Sequence, residues 1–582
     1  MLLYASFISF RPLLSAFFGI CPSFYWETTE NMPASQPSSI FAEKQSLQQQ
    51  VDVSRMFEAG SAALPSGEGS NVILPRNRSS ASQSYDISLR EADQSWTERV
   101  DRKHHPDDYY RFQLTDRSVV KLELRGLRVD ADLVLLDGRG RVLRTSTNTG
   151  TVGERILQGL GAGTYYVRVH ATGSDTHYRF TFAATTNPAI RAQYSLDGFS
   201  GDNVVLHWNR TLLGTIQADR TAPPVAARHL AILHTAIYDA VNSIVKMGRQ
   251  YLTTVNPRPG ASAVAAAAQA GYETLVALYP TQRSRFDAEL ARSLSRVPNG
   301  QAETDGRAIG QAVAQIVLSS RRNDGSGSVV AYTPLPGAEY WKPTAPGFGS
   351  AVLPQWPTVR PFAMTRGSQF RPAAPPDYNS TTYRNQLQET QRLGGLDSTT
   401  RTADQTQIAL FWADGGGTYT PPGHWNEIAQ GVARAQNTTL FQEARLFATL
   451  NVALADSGIA CWDTKYSYNQ CRPITAIRDL YDPNWTPLLT TPSFPDYSSG
   501  HSTFSGAAST VLSFFFGSRY RFSTSSLGTP GVQRSFQSFD AAAREAGRSR
   551  IYGGIHVESA NQAGLQMGCD LGQYVLQRVM QS

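Results

Sequence analysis

K-Y-S-Y-N-Q-C-R-P, from Lys465 to Pro473, is the stretch on which the reading of this chain turns. It sets a lysine six residues apart from an Arg-Pro pair. S-G-H follows at Ser499, Gly500 and His501, then S-R-I-Y-G-G-I-H from Ser549 to His556, all within about 90 residues. Together these pieces supply one Lys, two Arg, two His, two Ser and a backbone Gly. That set suits a tetrahedral or trigonal-bipyramidal oxyanion. Arg472 and Arg550 each offer a planar fork of N–H donors that matches adjacent oxygens. Lys465 adds a compact charge, and Ser499 a hydroxyl. Gly500 permits close approach to its own N–H. The S-G-H piece opens a helix expected over 501–516, whose N-terminus also favours an anion. Of His501 and His556, one can bind or attack the central atom while the other moves protons near neutral pH.

Working outward, apolar periodicity predicts helices on both sides of this cluster. Ala226, Leu230, Leu233, Ile237 and Val241 share one helical face, with His229, His234 and Asp239 on or near that helix as interior hydrogen-bonding groups. An Ala-rich helix runs from Ala261 to Tyr279 and stops at Pro280. The Gly- and Pro-rich segment 325–381 reads as an ordered wrap held by Trp341, Phe348, Trp356 and Phe362. A long apolar helix, 440–460, is expected to be central and to end just before Trp462. The last helices are expected at 501–516, 536–546 and 556–577, giving an all-α bundle from about 190 onward.

Upstream the pattern changes to period two. Tyr110-Phe112-Leu114, Val120-Leu122-Leu124, Tyr165-Val167-Val169 and Tyr178-Phe180-Phe182 alternate between turn signals, which predicts a small antiparallel β-sandwich. Residues 32–84 are rich in Ser, Gln, Pro and Gly and read as linker or tail. The expected organisation is therefore multidomain: a disordered or targeting segment at 1–84, a β-sandwich at 85–186, and a mainly α-helical bundle at 187–582.

The 582 residues carry 41% hydrophobic and 10% aromatic side chains, enough for real cores. The formal charge of +6 comes from Arg spread along the chain, which argues against nucleic-acid binding and for a mild bias toward anions. Cys21, Cys461, Cys471 and Cys569 show no CxxC spacing, so zinc is not indicated and free buried thiols are expected. Residues 1–20 lack a basic start and carry Arg11, which suits neither a signal peptide nor a spanning helix. Met32 is an alternative start.

The three motifs, in this order, resemble the vanadium-dependent haloperoxidase and type-2 phosphatidic acid phosphatase superfamily, whose pattern is K-x6-RP, PSGH and SR-x5-H. The likeness runs from about Leu206 to the C-terminus. It includes A-L-A-D-S-G-I-A-C-W-D-T-K-Y, Ala453 to Tyr466, which looks like soluble bacterial members. Ser498 stands where the family has Pro, which loosens the turn before the anion loop and removes no ligand. The resemblance implies vanadate as cofactor and His556 as its axial ligand. Lys465, Arg472, Ser499, the Gly500 N–H and Arg550 would neutralise its oxygens. His501 would be the acid–base group toward hydrogen peroxide. Phe494 and Trp462 match the chloroperoxidase pattern and are candidates for the halide pocket. Asp404 or Asp414 would orient one of the arginines.

The implied activity is oxidation of halide by hydrogen peroxide to hypohalous acid, which halogenates an organic acceptor. Bromide is expected to be oxidised more easily than chloride. The same cradle fits phosphate, so the alternative is an acid phosphatase on soluble phosphoesters that works through a phosphohistidine at His556. A membrane lipid phosphatase is disfavoured, because that class needs several spanning helices. A third reading makes the helical part a degenerate scaffold and the β-module a binding unit. D-Y-Y-R-F at 108–112 and G-T-Y-Y-V-R-V at 163–169 resemble the bacterial pre-peptidase C-terminal domain. That likeness implies an accessory module of secreted proteins, in which Asp130 and Asp132 would be calcium candidates, and a secreted or periplasmic location. A start at Met32 without an export signal would leave the protein cytoplasmic. The sequence does not fix the oligomeric state or the acceptor.

Overall fold

The computed structural model describes residues 84–185, except 88–93, 104, 117, 148–150, 152 and 173–174, and residues 203–580, except 437. Cys21, Met32 and the expected boundary at Asn187 lie outside the described residues. The described residues fall into two compact units.

The first unit is all-β. Its strands are β1 (Tyr85–Ile87), β2 (Gln94–Asp101), β3 (Asp107–Leu114), β4 (Ser118–Arg125), β5 (Ala131–Asp137), β6 (Val142–Ser146), β7 (Glu154–Leu160), β8 (Gly163–Ala171) and β9 (Asp175–Thr185). One sheet has the order β1-β3-β8-β5-β6 and the other β2-β9-β4-β7. Period-two alternation sends Tyr110, Phe112 and Leu114 of β3 and Phe180 and Phe182 of β9 into one shared core. One pairing departs from the antiparallel expectation: β1 lies parallel to β3, with Tyr85 opposite Tyr110. Asp130 accepts from the Thr172 hydroxyl at 2.7 Å. Among the described residues no three acidic, His or Cys side chains form a metal-holding group.

The second unit is helical. Its helices are α1 (Val204–Asp219), α2 (Pro223–Val245), α3 (Ala263–Leu278), α4 (Arg283–Leu294), α5 (Gln301–Arg321), α6 (Thr381–Gly394), α7 (Ala403–Phe411), α8 (Thr420–Ala435), α9 (Leu440–Tyr468), α10 (Pro473–Leu480), α11 (Gly500–Phe516), α12 (Phe539–Tyr552) and α13 (Glu558–Met580). A hairpin of β10 (Phe522–Ser525) and β11 (Gln533–Phe536) interrupts the expected all-α pattern between α11 and α12. No helix among the described residues is long and apolar enough to cross a membrane.

Helix α9 is the axis of this unit. It packs against α2 on one side and α11 and α13 on others. A capping box at Thr439 and Gln442 starts it. It does not end before Trp462 as expected. Asp463 and Thr464 weaken the apolar pattern but do not break a helix, and the helix runs on until Asn469 adopts a left-handed φ of 49° and donates its N–H to the Lys465 carbonyl. Trp462 and Lys465 are therefore fixed on its last turns.

Two further devices position the site. The wrap is tied down by Asp456 of α9, which accepts the backbone N–H groups of Phe362, Ala363 and Met364. Trp341 and Trp356 anchor it in the interior, whereas Phe348, expected as an anchor, is 66% exposed. Helices α11 and α13 meet along a seam of glycine. A Cβ on Gly568 would stand 2.1 Å from the Thr503 carbonyl oxygen, and one on Gly564 would stand 2.6 Å from that of Ser499. That close approach puts the start of α11 beside the loop that leads into α13. His234 and Asp239 serve the interior, with His234 Nε2 3.0 Å from Asn209 Oδ1 and Asp239 accepting three backbone N–H groups. Cys461 and Cys471 are free and buried.

Candidate active site

The structure brings the motif residues together at the ends of four elements: α9, the loop into α10, the start of α11, and α12 with the loop into α13. Lys465, Arg472, Ser499 and Gly500 are fully buried, and Arg550 and His556 nearly so, while His501 is half-buried. Lys465 Nζ donates to the carbonyls of Pro495 and Asp496 at 2.8 and 2.9 Å. Arg472 donates from Nε to Phe494 O at 2.7 Å and from Nη1 to Ile555 O at 2.8 Å. Its Nη1 also stands 3.3 Å from His556 Nε2. Arg550 donates from Nη1 to the Trp412 carbonyl at 2.9 Å, and His501 Nε2 lies 3.3 Å from Ala413 O. Backbone carbonyls thus hold every cation in place without cancelling its charge.

Burial is the first cause of every basic shift here. It pushes Lys465 down to about 7, Arg472 to about 10 and Arg550 to about 9. Both histidines are held well below their ordinary value by burial and by the neighbouring cations. Three buried cations are costly without an anion to face. Two of their donors, Arg472 Nη2 and Arg550 Nε, are buried and have no acceptor within the protein. Ser499 caps α11 and accepts from Ser502 N and from Ser502 Oγ at 2.9 Å, which leaves its own proton free to donate. The N–H groups of the first turn of α11, Gly500 among them, add to the same field.

The aromatic candidates also converge. Trp462 and Phe494 have ring centroids 4.9 Å apart. Phe494 faces Lys465 Nζ at 4.9 Å and Arg472 Cζ at 4.7 Å. Trp462 Nε1 and Tyr466 Oη both donate to Val352 O of the wrap. Not every motif residue joins the cluster. The Ser549 hydroxyl is spent on Ala546 O, one turn back in α12. Asp404 pairs with Arg534 at the surface, whereas Asp414 is buried and its charge acts on Arg550.

Three groups were not singled out from the sequence. Asp496, fully buried, bonds His556 Nδ1 through Oδ1. Burial pushes its carboxyl up to about 7, while Arg472 and Lys465 hold it down. His424 bonds Asp414 and stacks on Trp412 at 4.7 Å. Glu545 accepts from Trp412 Nε1 at 3.0 Å, which braces the loop whose carbonyls hold Arg550 and His501. The carboxylate two residues past Phe494 and the P-P-G-H-W run after Asp414 were the available signals.

Residues 445–582 match the family described as the VCPO second helical-bundle domain, and residues 107–171 match the bacterial pre-peptidase C-terminal domain. The chain is 28% identical to a vanadium chloroperoxidase of Curvularia inaequalis. That likeness takes in 54% of this chain and 66% of that enzyme, just under two thirds of its length. A bacterial vanadium-dependent iodoperoxidase of known structure is 30% identical with a TM-score of 0.59, covering 64% of this chain and 96% of its own. A holo-type bacterial vanadium-dependent chloroperoxidase shares the fold at 17% identity, with a TM-score of 0.52 over 68% of this chain and 96% of its own.

Proposed function

This chain belongs to the vanadium-dependent haloperoxidase family, and from that premise we propose that it oxidises halide with hydrogen peroxide and so halogenates an organic acceptor. The observation that carries the reading is the pair of buried, unpartnered arginine donors, Arg472 Nη2 and Arg550 Nε, beside His556. A tetrahedral oxyanion fits that donor set. Lys465, Arg472, Arg550, Ser499 and the Gly500 N–H would hold vanadate, and His556 would meet it through Nε2. Bound vanadate would act as a Lewis acid that activates hydrogen peroxide toward halide.

The remaining roles fall to the chain itself. His501 stands at the start of α11, and burial of its ring first, then the field of Arg550 and Lys465, keeps it neutral. It can therefore take a proton from the incoming peroxide and return it later. Trp462 and Phe494 exclude water from one side of the cations, which strengthens their pull on a halide. The relatives are a chloroperoxidase and an iodoperoxidase, and we propose that bromide also lies within reach of this site. The family of the β-module supports work outside the cytoplasm.

The test is bromination of an organic acceptor by the full chain, with and without orthovanadate, beside hydrolysis of p-nitrophenyl phosphate without vanadate. Vanadate-dependent bromination that disappears in His556→Ala is expected. Peroxide-independent phosphatase activity with no bromination would instead establish the phosphohistidine reading.

A further inference from the structure

We infer that Asp496 is the positioning residue that fixes which nitrogen of His556 faces the anion. The inference rests on the proposed role of His556, and it follows from what each partner is able to donate. The guanidinium of Arg472 has donors only. Its Nη1 stands 3.3 Å from His556 Nε2, so Nε2 is the accepting, unprotonated nitrogen. A neutral imidazole with a bare Nε2 carries its proton on Nδ1. Nδ1 then donates to Asp496 Oδ1, its partner on the far side of the ring.

Asp496 is itself held on several sides. Its N–H donates to Gln470 O at 3.0 Å, and its carbonyl takes Lys465 Nζ at 2.9 Å. Arg472 Nη1 lies 3.8 Å from Oδ1, so one guanidinium touches both the histidine and the carboxylate behind it. The other end of His556 is fixed by Thr390 Oγ1, which donates to the His556 carbonyl at 3.1 Å. The result is a carboxylate–imidazole pair with a lone pair aimed past Arg472. A carboxylate in that place orients the ring and makes Nε2 a stronger donor of its electron pair, whether the central atom is vanadium or phosphorus. This explains why a carboxylate sits inside a cluster otherwise built to hold an anion. Its Oδ1 is turned toward the ring.

Two readouts test this. In anion-free protein labelled with ¹⁵N-histidine, with His556→Gln to assign the signal, His556 should show a protonated Nδ1 and a bare Nε2. Asp496→Ala should shift that signal to a mixture or to the Nε2–H form. Asp496→Asn retains an accepting oxygen and should keep the wild-type form. By calorimetry, affinity for orthovanadate and for inorganic phosphate should fall in the order wild type, Asn, Ala, with the Ala variant roughly 10- to 100-fold weaker. A wild-type spectrum with Nε2 protonated overturns the inference. So does an unchanged tautomer together with affinities within about twofold in the variants. If Asp496→Ala does not fold, the wild-type spectrum and the Asn variant still decide. Protein that binds phosphate but never brominates would sink the proposed function and leave this inference standing.

Discussion

Nδ1 of His424 stands 3.0 Å from Oδ2 of Asp414, and both side chains are closed off from solvent. Asp414 in turn acts on Arg550, and the carbonyl of Trp412, two residues earlier, holds the Arg550 Nη1. His424 therefore braces the loop that aims a cation into the cradle. His424→Phe would keep the stack on Trp412 and lose the bond to Asp414. Its expected effect is roughly tenfold weaker vanadate binding, read by calorimetry, with a smaller effect on thermal stability.

Lys465 sets a pH dependence with a definite sign. Burial holds its free-state value at about 7, and a bound oxyanion favours the protonated form. Anion affinity is then level below about pH 7 and falls by up to about tenfold per pH unit above it. Tungstate is a suitable probe because its charge is constant from about pH 6 to about pH 9. A calorimetric titration across that range should show the fall in wild type and a weaker, shallower fall in Lys465→Met, where Asp496 and Arg550 still titrate.

The seam between α11 and α13 is tight enough to test by a single methyl. Gly568→Ala places a Cβ 2.1 Å from Thr503 O, which forces the two helices apart. The expected cost is about 1–3 kcal/mol by denaturant unfolding, together with weaker vanadate binding, because Ser499 and His556 flank those helices. Gly431→Ala in α8, where a Cβ meets nothing within 4 Å, is the control and should be neutral or slightly stabilising.

Phe494 covers both Lys465 and Arg472. Phe494→Ala should admit water beside those charges. Steady-state kinetics should show KM for bromide rising several-fold, while affinity for vanadate changes less, since no cradle donor is removed.

The cradle was legible in the sequence because its residues are charged, few and closely spaced. Lys465, Arg472, Ser499, Gly500, His501, Arg550 and His556 all meet in the fold. What escaped was the support around them. Asp496 lies between Phe494 and Ser499 in plain view, but a carboxylate in an anion site makes sense only once it is seen behind His556 Nδ1. His424 lies more than seventy residues before His501, so no local spacing links it to the cluster. The end of α9 is not legible because a drop in apolar character at Asp463 looks like a terminus, whereas the backbone stops only at Asn469. The β10–β11 hairpin was missed because its strands are four residues each and mostly polar. Phe348 was expected inside on residue type alone, yet its backbone carries φ of 45° and its ring is exposed.

The most direct measurement is a titration of anion-free protein with orthovanadate, following bound vanadium and hydrogen-peroxide-dependent bromination in the same samples. The account predicts that both saturate together at one vanadate per chain, and that His556→Ala loses both. Bromination that does not track bound vanadium, or vanadate binding that survives unchanged in His556→Ala, would contradict it.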